Sequence, residues 1–398
     1  MPYYRCVGDV PRKRHTVHMV DGSRAFEELM GTEGFSGLSS LLYHRSSPSA
    51  IVRIEPVDID VPVFRANHPV RPHHLRTPQL AERAERAPGA TGDAVFGRRT
   101  LLGNDAVTLS VATVTATSPL YRNAIGDELV YVQSGRAVLE SVFGRLAVSP
   151  GDYVVLPAST THRWVIADGA PAAEMVVIAA RGHITIPSRY MNSGGQLIEG
   201  SPFSERDLRA PDPEPLLEHG EAVDVIVRTR GGVSRHVHAT HPFDVVGWDG
   251  CLYPWALNVA DFEPIVGRIH QPPPVHQTFA GNGFVICTFV PRLFDFDPDA
   301  VKVPYHHANV DTDEVLYYSA GDFMSRAGSG IGTGSISLHP AGFVHGPQPG
   351  SHERTIGVDR TAETAVMLDA FAPLGLTDDA LSISDPQYPW SWAGTGQI

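Results

Sequence analysis

Cysteine is scarce and shows no pairing pattern. Cys6, Cys251 and Cys287 lie far apart, form no Cys-x-x-Cys and, being three, cannot all pair; this excludes a disulfide scaffold and suits a reducing compartment. Positive charge is in the minority. With 31 Lys and Arg against 44 Asp and Glu, the formal net charge of −13 lacks the basic footprint of a phosphate-backbone binder, so no nucleic acid partner is expected. Long hydrophobic runs are missing as well: no stretch of about 18 apolar residues occurs, and the N-terminal MPYYRCVGDVPRKRH is followed by no apolar leader segment. The expectation is a cytoplasmic chain with no membrane partner. Helix signals are few and short, the best being Gln79–Arg86 and Ser204–Arg209. Nucleophile elbow, Walker loop and zinc ribbon are all lacking, and the glycine-rich GSGIGTG (328–334) leads into the strand-like SISLH, not into a helix that could hold a pyrophosphate.

Strand signals fill the space that helices leave. Runs rich in β-branched and aromatic residues, bounded by Gly, Pro or Asp, recur at Val107–Thr115, Glu128–Gln133, Arg136–Phe143, Tyr153–Leu156, Glu174–Ala179, Gly283–Val290, Glu314–Tyr318 and Ser335–His339. Turns about ten residues apart predict an antiparallel sandwich or barrel. The length of 398 residues suits two such units, and Pro211-Asp-Pro-Glu-Pro215 is the candidate linker, giving units of 1–210 and 216–398.

The two units share a repeat. YRNAIGDELVYVQSG around Glu128 and HHANVDTDEVLYYSAG around Glu314 both read Asn, four residues, Glu, six residues, Gly. Downstream, Pro157 with His162 and Pro340 with His345 share the form Pro-x-small-x-x-His. The offset is 186 residues at the glutamates and 183 at the histidines, so the copies stay in register apart from one three-residue difference between the two parts.

This two-part pattern resembles the cupin signature. The resemblance implies an all-β bicupin: two double-stranded β-helix (jelly-roll) domains with a few short helices. In the C-terminal copy His307, Glu314 and His345 occupy the signature positions, and two imidazoles with one carboxylate form the ligand set of a mononuclear non-haem Fe(II) site with open positions; the same set also suits Zn(II). His306 is the alternative ligand to His307. In the N-terminal copy Tyr121 stands where His307 stands in the other, leaving Glu128 and His162. Two ligands hold a transition metal poorly, so that copy reads as a scaffold with Glu128 and His162 in a hydrogen-bonded network.

The stretch HQPPPVHQTFAGNGFVICTFVPR, then PYHHANVDTDE, then SLHPAGFVHGP, with the weaker LLYHR (41–45) upstream, resembles the homogentisate 1,2-dioxygenase family. The resemblance implies an Fe(II)-dependent oxidoreductase of tyrosine and phenylalanine catabolism that opens the ring of homogentisate with O2 to give maleylacetoacetate, and a homo-oligomer, a hexamer built from trimers. Carried over residue by residue, it puts His307, Glu314 and His345 at the iron, His270 in the place of the catalytic base, and His339 at a histidine supporting the active site. Arg326 falls near a family lysine and Phe323 on a family tyrosine, both facing substrate. The His-to-Glu interval of seven is one longer than usual, which sets Asp313 against Glu314; the spacing to Gly321 favours Glu314. The chain is also short for the family, which implies a trimmed N-terminal domain. The changes at Phe323 and Arg326 keep open a related ring-cleaving dioxygenase acting on a hydroquinone or gentisate-like acid. A non-catalytic bicupin is the reading from outside enzymology.

Overall fold

Each of the eight β-rich runs is a strand, to within two residues at either end, in the computed structural model, which describes residues 3–59, 61–80, 92–271 and 273–393. The two helix expectations fare differently. All of Gln79–Arg86 but its first two residues lies outside the described residues. Ser204–Arg209 is a single 3-10 turn, Glu205–Asp207, with the Asp207 carboxylate accepting from the Ser204 backbone N–H at 2.8 Å; Leu208–Arg209 then leave as a strand along Trp255–Asn258. An unpaired sheet edge there outweighs a weak helix signal.

Two large sheets lie back to back. The eight-stranded one runs Leu208–Arg209, Trp255–Asn258, Asp152–Leu156, Glu128–Ser134, Ala173–Ala180, Val107–Val114, Arg99–Gly103, Gly375–Leu376. The seven-stranded one runs Ile184–Thr185, Gln277–Gly281, Phe284–Phe289, Thr364–Ala370, Asp313–Ala320, Ser335–His339, His73–Arg76. The sequence repeat is therefore a structural one: Glu128–Ser134 lies between Asp152–Leu156 and Ala173–Ala180 as Asp313–Ala320 lies between Ser335–His339 and Thr364–Ala370. Successive side chains alternate faces. Leu129, Tyr131, Tyr153, Val155 and Ile178 of one sheet meet Ile286, Val315, Tyr317, Leu338 and Leu368 of the other in one shared core. Tyr131 Oη and Ser319 Oγ, 2.6 Å apart, and Tyr153 Oη and Thr288 Oγ1, 2.9 Å apart, place the polar atoms of that core in hydrogen bonds. Strands buried on both faces read as nearly unbroken apolar runs, as in DYVVL and AEMVVIAA.

The outer faces differ. In the N-terminal half a second seven-stranded sheet, running from Gly144–Val148 through Leu120–Asn123 and Glu221–Thr229 to Ile51–Val57, closes a barrel filled by Val130, Leu139, Val154, Trp164 and Val177. In the C-terminal half the facing wall is loop, joined by the backbone bridge between His307 and His345 and a two-residue ladder of Arg292–Leu293 with Arg360–Thr361. The wall that carries His307 and His345 is thus the less regular one, and Glu314 faces it from the sheet.

The strands do not part at Pro211–Pro215. Glu221–Thr229 continues the N-terminal barrel parallel to Leu120–Asn123, Trp255–Asn258 pairs with Asp152–Leu156, and His73–Arg76 crosses to the edge of the C-terminal sheet. Among the described residues no helix is long and apolar enough to cross a membrane.

The LLYHR segment lies in a four-stranded sheet, where His44 is buried between two carboxylates: Nδ1 is 2.6 Å from Asp244 Oδ1 and Nε2 is 3.0 Å from Glu28 Oε2. Burial alone would lower this imidazole, but the bonds to Asp244 and Glu28 outweigh it and push it up to about 9. A raised folded-state pKa stabilises fully below the unfolded value and is lost as pH climbs through the folded one, here across pH 6.5 to 9. The urea midpoint is expected to fall over that window by the equivalent of about 3 kcal/mol, and His44→Gln is expected to flatten the slope.

Candidate metal centre

The two parts of the repeat fold the same way because the same backbone bonds recur. Gly342 N–H donates to Asn309 C=O at 2.6 Å, and Ser159 N–H to Asn123 C=O at 2.7 Å, joining the Asn of the first part to the Pro turn of the second. Gly342 and Ser159 both sit at positive φ, 75° and 64°, so the turn needs a left-handed residue in either copy. The acid before each glutamate is tied to backbone. Asp313 accepts from Ala341 and Leu374 N–H, both at 2.8 Å, as Asp127 does from Ala158 and Ile184. Asp313 is thereby occupied, and Glu314 is left facing the outer side of the sheet.

There His307, Glu314 and His345 each offer one ligand atom, all within 4.8 Å of one another. His307 and His345 exchange both backbone hydrogen bonds at 2.8 Å, which sets their rings side by side with centroids 4.4 Å apart. Each ring's Nδ1 lies 3.1 Å from the carbonyl two residues earlier, Tyr305 and Phe343, so the proton sits on Nδ1 and the Nε2 lone pair is directed at the cluster. Nε2 of His345 is 3.2 Å and that of His307 3.6 Å from the Glu314 carboxylate. Two Nε2 atoms and one carboxylate, with tautomers fixed by backbone, fit a divalent transition metal. His306 is exposed and lines a surface recess with Val344 and Trp392 instead.

Behind the carboxylate runs a buried chain. His339 Nδ1 donates to Glu314 Oε1 at 2.9 Å, and its Nε2 accepts from Tyr388 Oη at 2.9 Å. Burial pushes the His339 imidazole down to about 3, so it is neutral. Burial alone would raise Glu314, yet the His307, His339 and His345 imidazoles gathered around its oxygens hold it well below the usual carboxylate range. Arg326 is buried and donates to Tyr318 Oη at 3.1 Å and to Gly346 C=O at 2.6 Å, bracing the segment that carries His345. Phe323 packs on Tyr318 in an apolar cluster with Cys287, Leu316 and Met367, on the same face as Glu314. His270 stands apart: it is exposed, its ring 5.2 Å from that of Tyr305, which in turn is 6.1 Å from His307.

The N-terminal copy holds a guanidinium where the other gathers imidazoles. Arg98 Nη1 and Nη2 donate to the two oxygens of Glu128 at 2.7 and 2.8 Å, and Asn123 Nδ2 adds a third bond at 2.9 Å. The expected Glu128–His162 network is absent among the described residues, because Arg98 and Asn123 occupy the carboxylate; His162 Nδ1 bonds Thr160 C=O and its Nε2 has no partner. Arg98 gave no signal in the sequence, since the repeat motif does not reach it. Tyr388 and Asp369 were also missed, one in the aromatic PQYPWSW, the other as a lone acid in the apolar TAVMLDA. Asp369 faces Glu314 across the strands, and burial, then the neighbouring Glu314 charge, push its carboxyl up to about 7.

His345→Ala is expected to abolish metal binding, read by elemental analysis of anaerobically purified protein, while Arg98→Met leaves it unchanged. Breaking the buried Arg98–Glu128 pair in this way is expected to cost about 3–5 kcal/mol of unfolding free energy, most of which returns in the Arg98→Met, Glu128→Met double variant.

Residues 95–259 match the family described as Homogentisate 1,2-dioxygenase N-terminal, a span that, like the strands, runs past Pro215. A protein of Saccharolobus solfataricus named "Putative dioxygenase SSO1533" is 40% identical over 396 residues, covering 98% of this chain and 99% of that protein. The homogentisate 1,2-dioxygenase of Arabidopsis thaliana is 27% identical over 317 residues, 75% of this chain and 65% of that enzyme. The homogentisate 1,2-dioxygenase of Emericella nidulans is 24% identical over 256 residues, 60% of this chain and 54% of that enzyme. With a relative this similar along its full length, and with the duplicated sheets and the His–Glu–His cluster, the chain belongs to the homogentisate 1,2-dioxygenase-like family of cupin proteins.

Proposed function

We propose that the chain is an Fe(II)-dependent ring-cleaving dioxygenase acting on a para-dihydroxylated aromatic acid, homogentisate first, which it converts with O2 to maleylacetoacetate. One observation carries the reading: His307 and His345 on the irregular wall meet Glu314 of the facing sheet, with both Nε2 lone pairs aimed inward. A bound ferrous ion would supply open positions for the ring oxygen and for dioxygen.

The remaining work falls to side chains. His307 and His345, fixed by Tyr305 and Phe343 carbonyls, donate neutral imidazole nitrogen, and Glu314 contributes one negative charge held in line by His339. His270, 3.9 Å from the Asp295 carboxylate, is the acceptor for the proton a ring hydroxyl gives up, and can return one later. Leu316, Tyr318, Phe323 and Met367 form a buried apolar cluster on the face that carries Glu314, the side on which an aromatic ring would be received. Arg326 acts through Gly346 by bracing the His345 segment.

A hydroquinone or gentisate-like acid is the second reading. It is favoured by Arg326 being bonded to Tyr318 and Gly346, and by the absence of a hydroxyl on Phe323.

Protein loaded with Fe(II) and given homogentisate is expected to consume O2 and develop a ring-cleavage absorbance. Silence with homogentisate but uptake with gentisate or hydroquinone moves the substrate, and metal-free, inactive protein supports a non-catalytic bicupin. His270→Asn is expected to keep stoichiometric metal and lower turnover about 100-fold, and near-normal turnover removes it from the chemistry.

A further inference from the structure

Matching the two copies row by row isolates what the C-terminal one has and the N-terminal one lacks. Across the strands, Glu128 is flanked by Leu156 and Ala179; Glu314 is flanked by His339 and Asp369. Together with Tyr121 against His307, the copies thus differ at three positions around one glutamate. His307 belongs to the ligand cluster and His339 holds the Glu314 carboxylate. Among the described residues Asp369 holds no such partner.

Its direction is fixed by alternation. Leu368 and Ala370 point into the core between the sheets, so Met367 and Asp369 point to the opposite face, where Glu314, Leu316 and Phe323 lie. Its neighbour on the other side across the strands is Val285, which offers no donor. Asp369 Oδ1 is buried and meets no hydrogen-bond donor, and the side chain makes no ion pair among the described residues. A buried acceptor left without a donor is destabilising, and in a native structure it calls for a reason. Beside a three-ligand cluster, the reason is a donor that arrives with the ligand.

We propose that Asp369 is a substrate-binding residue of this site, its carboxyl accepting a hydrogen bond from one ring hydroxyl of the dihydroxylated aromatic acid and so orienting the ring against His307, Glu314 and His345. The proposal rests on the substrate class argued above and adds the group that reads its second oxygen. A ring lacking that hydroxyl leaves Asp369 unpartnered, which makes the residue a discriminator between dihydroxylated and monohydroxylated acids.

The test pairs deletion of a ligand hydroxyl with substitution of the residue, as in a double-mutant cycle. 2,5-Dihydroxyphenylacetate, 2-hydroxyphenylacetate and 3-hydroxyphenylacetate are titrated by calorimetry under anaerobic conditions into Fe(II)-loaded wild type, Asp369→Ala and Asp369→Asn. Wild type is expected to bind the dihydroxylated acid about tenfold more tightly than at least one monohydroxylated acid. Asp369→Ala is expected to erase that preference for the same hydroxyl. Asp369→Asn, which keeps an acceptor oxygen, is expected to retain part of it, with metal content equal in all three proteins. An Ala variant that keeps the tenfold preference overturns the assignment while leaving the substrate class standing. So does loss of metal from the Asn variant, which would make Asp369 a support for the ligands. Wild type that binds none of the three acids overturns the substrate class, and this proposal with it.

Discussion

A carboxylate carried into the interior of a barrel must meet positive charge or hydrogen-bond donors, because uncompensated burial of an ion costs more than any packing around it returns. Both copies carry such a glutamate at the start of the same strand, and each meets the demand differently. Glu128 is answered by the guanidinium of Arg98, planar and forked to match both oxygens. Glu314 is answered by N–H from His339 and by the approach of His345 and His307, an arrangement that leaves room for a cation from outside. One copy carries its cation in the chain; the other is built to borrow one.

How much of this was legible follows from where the information lies. The strands could be read because turn residues and β-branched runs are local signals, and the duplication because Asn, Glu, Gly, Pro and His recur at fixed offsets. The same offsets set Glu314 over Asp313, and the structure supplies the reason in the two amides that Asp313 holds. Arg98 was invisible: it reaches Glu128 from outside the motif, and nothing in GRRT distinguishes it from the adjacent Arg99. Asp369 was hidden differently, since its strand carries no repeat signature and its relation to Glu314 is one of register across the sheet.

His270 and Arg326, carried over from a family by position, sit in contrasting surroundings. Arg326, which spacing sets facing substrate, is buried and donates to the Gly346 carbonyl and the Tyr318 hydroxyl. His270 is exposed and lies outside the strands, and among the described residues the Tyr305 ring stands between it and the ligand cluster.

The strand His73–Arg76 ties the two copies together. It precedes the N-terminal barrel's main strands in the chain, yet it completes the sheet that bears Glu314 and His339, pairing Ser337 with His74. Gly375–Leu376, which follows the ligand cluster in the chain, completes the edge of the N-terminal sheet in return. Each copy therefore finishes the other's border. Deleting the copy that lacks a ligand set would strip a strand from the copy that has one and bare the apolar face on which it rests. A change that unseats either barrel would therefore be felt at the sheet edge of the other.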